Sequence, residues 1–152
     1  SQAGAWEPAQ QSTRIAMNFD VSRFVYWTGV YNIGLMLSVA LSAFGPILGV
    51  TFCSPAWALL IAGFLGFTAV VLIISSRNLK LFAPLVFWEA LLRFAAFAVV
   101  APYGLFGDIG IMAVVLGLGD LMIGLGYLYG LTRCLGFTNT DLFWARNIDT
   151  QN

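Results

Sequence analysis

FAPLVFWEALLRFAAFAVVA, Phe82–Ala101, is a run of twenty residues with only two charges, Glu89 and Arg93. About twenty apolar residues in helical form span the hydrocarbon of a bilayer. A soluble domain would break such a run with polar residues on one face. This stretch is therefore expected to be a transmembrane helix. Its two charges then pose the main functional question, because ionised groups at that depth cost several kcal/mol unless paired or hydrated (about 2.5–3.5 on insertion scales).

The rest of the chain agrees with that reading. Of 152 residues, 60% are hydrophobic and 9% charged. Soluble domains carry about 25% charged residues, so water cannot be the solvent on every side. Three further apolar segments appear, about Phe24–Gly45, Ala56–Ser75 and Ile109–Leu131. The first is expected to stop at Pro46 and the Phe82–Ala101 span at Pro102. Ser54 and Pro55 suit the N-cap and first turn of the second. Pro84 is expected in the opening turn of the third, where a missing N–H is harmless. The expected fold class is all-α, an integral membrane up-down four-helix bundle. Residues 1–23 form an N-terminal arm, 24–133 the four spans, and 134–152 a tail.

Orientation follows from the basic residues. Arg14, Arg23, Arg77, Lys80, Arg133 and Arg146 all fall on one side of the four spans. The loops 46–55 and 102–108 hold no Lys or Arg. The positive-inside bias assigns the basic side, and both termini, to the cytoplasm. The opening SQAGAWEPAQQSTR lacks the charged-then-apolar order of a signal peptide and is expected to be a short cytoplasmic arm. The tail LGFTNTDLFWARNIDTQN mixes aromatic and charged residues. It is expected to lie along the interface as a short amphipathic helix capped near Asn139 or Thr140, or to dock a partner.

Several function classes are excluded or disfavoured by composition. Histidine is absent, which removes His-ligated metals and pigments and His-assisted nucleophilic catalysis. Seven basic residues balance seven acidic ones with no basic tract, so nucleic acid is not an expected partner. Cys53 and Cys134 lie at opposite membrane faces on this topology, too far apart for a bridge. No catalytic residue, resident cofactor or metal set is expected.

Small residues mark candidate packing faces, because helices in lipid associate by close approach. They are Gly34, Ser38 and Ser42 on the first span, Gly63 and Gly66 on the second, and Gly126 and Gly130 on the fourth, with Gly117, Gly119 and Gly124 earlier in it. The glycines could also meet a partner subunit. Tyr26, Trp27, Trp57, Tyr127 and Tyr129 suit interfacial belts. An aromatic box contacting lipid, a quinone or a carotenoid is the alternative.

Glu89 and Arg93 stand at i and i+4 and share one helix face. At a rise of ~1.5 Å per residue, Arg93 lies roughly 16 Å from the cytoplasmic end and Asp120 roughly 16 Å from the other, both near mid-membrane. Asn32 falls at a similar depth. An intramembrane cluster of Asn32, Glu89, Arg93 and Asp120 is expected, with Tyr31 and Arg77 as further contributors. One Arg against two carboxylates leaves a formal charge of −1. A proton on one acid, Arg77 reaching Glu89, or a wet cavity admitting a cation or proton would relieve it. The cluster is either a clamp that sets helix register or a functional site.

The stretch SRNLKLFAPLVFWEALLRF, with Asp120 in a glycine-rich last helix, resembles small four-helix membrane proteins of the DoxX-like and BphX-like kind. That resemblance implies a bundle in a bacterial inner membrane, associated with oxidoreductase or catabolic systems, and transfers no catalytic residue. Two functions are expected in turn. One is a non-catalytic accessory subunit of an energy-transducing or oxidoreductase membrane complex, with lipids and other membrane subunits as partners. The alternative is a small transport or ligand-binding protein that uses the Glu/Arg/Asp cluster.

Overall fold

A computed structural model describes residues 20–45, 52, 54–107 and 109–145. Its elements are α1 (Val21–Ser42), α2 (Pro55–Arg77), α3 (Leu79–Phe106), α4 (Ile111–Tyr129), a π-helical turn (Gly130–Cys134) and α5 (Asn139–Trp144). The described residues contain no strand. All four long helices are long and apolar enough to cross a membrane. Each spanning window buries only 22–33% of its residues, so most of its apolar side chains face outward. That is the pattern of helices whose outer solvent is lipid.

Helix ends follow local chemistry. Asp20 caps α1 by accepting from the Arg23 amide at 3.1 Å. Ser54 is the N-cap residue of α2 and Pro55 its first residue, although the serine hydroxyl makes no capping bond. A single residue, Asn78, both ends α2 and caps α3, its side chain accepting from the Leu81 amide at 3.4 Å. The expected loop around Arg77 and Lys80 therefore shrinks to one residue, and α3 begins earlier than the sequence suggested.

Two proline expectations are corrected. Because α3 starts at Leu79, Pro84 lies inside the helix and not in its opening turn. Pro102 does not stop α3, which continues through it to Phe106. Within lipid an unwound backbone would leave several polar groups without partners, whereas a proline forfeits one helical N–H bond. Continuing the helix is the cheaper outcome.

Packing sets the register of two antiparallel hairpins. In the first, the Ser22 hydroxyl donates to the Ser76 carbonyl, Gly29 faces Ala69 and Ile73, and Met36 lies against Gly66. In the second, Gly104 faces Val114, Gly117 faces Phe97 and Gly124 faces Phe94. The hairpins meet most fully at the end that carries the α2–α3 turn. There Val25, Leu72, Val86, Tyr127, Leu131 and their neighbours form the buried core. α5 closes this end. Thr138 caps it by accepting from the Asp141 amide at 3.2 Å, Leu142 is buried, and Phe143 stacks on Trp88 of α3 at 4.9 Å.

The small-residue stripe of α1 does not pack as expected. A methyl group added at Gly34 or Gly63 would meet nothing within 4 Å. Ser38 donates to the Gly34 carbonyl at 2.9 Å and Ser42 to that of Val39 at 2.6 Å, so both hydroxyls bond their own helix. Gly66 and Gly126 do serve close approach, to Met36 and to the Phe24 ring. Gly130 is buried, and its carbonyl accepts from Leu135 at 3.2 Å. In the first hairpin Gly29 is the glycine that meets backbone: its added Cβ would sit 2.8 Å from Ile73 Cγ1 and 3.2 Å from the Ala69 carbonyl. The expectations for Arg14, Cys53 and Arg146 fall outside the described residues.

Candidate functional site

Arg93 occupies the middle of α3 and is 5% exposed. Its Nη1 donates to Asp120 Oδ1 of α4. Its Nη2 donates to Asn32 Oδ1 of α1 at 3.0 Å and lies 3.3 Å from Glu89 Oε1, one turn earlier on α3. The guanidinium also stands 5.7 Å from the Tyr127 ring centroid, within reach of the ring's negative face. All four residues expected in the cluster are thus brought together, from three helices.

A planar guanidinium can do this where an ammonium could not. Its N–H groups radiate in one plane and serve several acceptors at once. Each acceptor is in turn held. Asn32 donates its amide to Thr68 Oγ1 of α2 at 3.0 Å, so all four long helices join the network. Thr68 passes its own proton to the Leu65 carbonyl at 3.0 Å, which leaves its oxygen free to accept. Below Arg93, Thr28 gives its proton to the Val25 carbonyl at 2.9 Å. The Tyr127 hydroxyl, bonded to Thr28, must therefore be the donor in that pair. Arg93 Nε has no acceptor among the described residues.

Three expectations are corrected here. Tyr127 is not an interfacial aromatic: it is fully buried and forms the floor beneath Arg93. Its neighbour Tyr129 is exposed, as are Tyr26, Trp27 and Trp57. Tyr31 is exposed and makes no hydrogen bond to the cluster among the described residues. Arg77 is exposed at the end of α2 and forms no ion pair with Glu89. It is the last residue of α2, beside the Asn78 turn, whereas Glu89 stands ten residues beyond the start of α3 at Leu79.

Thr28 and Thr68 were missed in the sequence. A hydroxyl inside an apolar span commonly bonds its own backbone, so neither stood out from ordinary Thr. Only the register that sets Thr68 beside Asn32, and Thr28 beside Tyr127, makes them parts of the network.

The cluster is not sealed. It closes one end of a cavity of about 370 Å³ between the hairpins. Asn32, Thr68, Glu89, Arg93 and Asp120 form the polar end. The remaining wall is almost wholly apolar and runs past Phe64, Phe97 and Leu116 toward Ser42, Phe52 and Ile109. The molecule is thus packed solid on the α2–α3 turn side and hollow on the other, with the ionic network at the boundary. Asp120 keeps 27% of its side chain accessible and Glu89 11%. Among the described residues no group of three or more His, Cys, Asp or Glu side chains is placed to hold a metal ion.

Fold and site together define an all-helical, multi-pass type of membrane protein, with a charged network at the floor of an apolar cavity. No protein-family model, curated protein or solved structure matches the chain.

Proposed function

We propose that this chain is a small integral membrane protein that binds, and in the transport reading moves, a small amphiphilic molecule through the cavity above Arg93. One observation carries this: the ionic network borders about 370 Å³ of mostly apolar space. A clamp that only fixed register would be enclosed on all sides, since open volume beside buried charges adds cost without packing. Pockets for small ligands are typically apolar with a few converging polar groups, at roughly 300–1,000 Å³.

We further propose an up-down bundle with both termini on the cytoplasmic side of a bacterial inner membrane. Support comes from Arg23, Arg77, Lys80 and Arg133, which stand at the ends of α1, α2, α3 and α4 that share one side of the antiparallel hairpins. The resemblance to DoxX-like and BphX-like proteins is consistent with that placement.

A second reading, the accessory subunit, draws on a different feature. Trp88, Phe143 and Trp144 form a continuous aromatic group, and Trp144 is 62% exposed. Such a platform suits contact with another subunit. Purification from the native membrane in mild detergent separates the two. A solitary species carrying a small molecule, identified by mass spectrometry and missing from Asp120→Asn protein, supports the binding reading. A fixed-stoichiometry complex with other subunits and an empty cavity supports the accessory one and overturns the first.

A further inference from the structure

The chemistry of the cavity wall restricts what can occupy it. Away from the ends of the four long helices the charged side chains are Glu89, Arg93 and Asp120, so the network carries a formal charge of −1 when both acids are ionised. The arrangement of hydrogen bonds accentuates this. Arg93 directs its Nη donors to Asp120, Asn32 and Glu89. Its Nε has less than 1 Å² of accessible surface, so that donor is not presented to the cavity.

The hydroxyls along the wall are spent as donors. Ser38, Ser42 and Thr68 each give their proton to a carbonyl of their own helix. They show the cavity lone pairs. No donor among the described residues reaches Asp120 Oδ2 or Glu89 Oε2. The polar end therefore offers carboxylate oxygens without a bound donor and a surplus negative charge, in a setting where an unmatched charge is expensive. Beyond it stand Phe64 and Phe97, which give an apolar body its contact surface.

Resting on the binding function proposed above, we infer that the cavity takes a lipophilic monovalent cation. Its charged head lies against Asp120 and Glu89, and its apolar body fills the space beside Phe64 and Phe97. A bare inorganic cation would satisfy the carboxylates but leave the apolar wall uncovered. A fatty acid or other anion would meet two carboxylates and hydroxyls that have no proton to give. Organic ammonium compounds match both ends.

Three probes with one apolar body and different heads test this: octylammonium, octanol and octanoate. Binding is measured by equilibrium dialysis at pH 7 against wild-type protein in lipid nanodiscs, with empty nanodiscs of the same lipid subtracted. Saturable excess binding of octylammonium, at least about tenfold tighter than the other two, is the expected result, because opposite charges attract strongly at low dielectric. Asp120→Asn protein, with a neutral network, is expected to lose that preference. If octanol or octanoate binds as tightly as octylammonium, the charge assignment is wrong while the cavity remains a binding site. If none of the three binds above the nanodisc background, the binding function itself is overturned. The comparison of heads uses wild-type protein, so it decides the matter even should Asp120→Asn fail to assemble.

Discussion

Arg93 is the residue on which the interior depends. Removing one partner of a buried ion pair leaves its counter-charges uncompensated, at a cost of about 3–5 kcal/mol. Arg93→Met is thus expected to destabilise the protein by about that amount, since Glu89 and Asp120 would then face each other unneutralised. The combined variant Arg93→Met, Glu89→Gln, Asp120→Asn removes the charges together and is expected to recover most of the loss. Unfolding by titration with a denaturing detergent reads both. Equal instability of the single and triple variants would show that shape, and not charge balance, holds the centre. The cluster's core members were readable in the chain: Glu89 and Arg93 by their i, i+4 spacing, Asp120 and Asn32 by depth. Tyr127 was not. An aromatic about one turn from the end of an apolar span looks the same whether it faces headgroups or a neighbouring guanidinium.

Among the elements, α1 and α2 show how close approach is achieved. The small-residue stripe at Gly34, Ser38 and Ser42 suggested a packing face by spacing, yet Gly34 faces open space. Contact falls instead at Gly29, a face away, where an added Cβ would also lie 3.2 Å from the Ala69 carbonyl. Gly29→Val is expected to cost about 1–3 kcal/mol through overpacking against backbone that cannot yield. Gly34→Ala and Gly63→Ala are expected to stay within about 0.5 kcal/mol of wild type, as surface changes usually do. The same detergent titration compares the three. A Gly29→Val protein as stable as wild type would mean that the hairpin register differs from the one described. Spacing identifies which residues could pack, but a helix has several faces, and the partner selects one.

For the whole molecule, orientation is the property most open to a direct test. Cys134 is exposed and follows α4 at the end shared with Arg77 and Lys80. In a Cys53→Ser background, a membrane-impermeant maleimide is expected to label Cys134 in inside-out vesicles and to leave intact cells unlabelled. Labelling of intact cells at Cys134 would invert the proposed topology. The uneven packing of the two halves is a property of this scale too. α5 and the turn at Asn78 close one side, while the hairpins separate on the other and leave the ionic network at the bottom of a cavity.

Composition and charge order were sufficient for the class of protein and the position of its spans. Twenty-residue apolar runs have one low-energy solution in lipid, a helix, and this holds for each segment without reference to the others. The ends of α3 escaped that logic, because Pro84 and Pro102 ordinarily break helices and are retained here only where unwinding would strand polar backbone in lipid. Whether Glu89 and Asp120 meet Arg93 in a sealed clamp or at the edge of a hollow was decided only in three dimensions. That outcome depends on where two hairpins touch and where they part, a balance of side-chain volumes across helices that no single segment encodes.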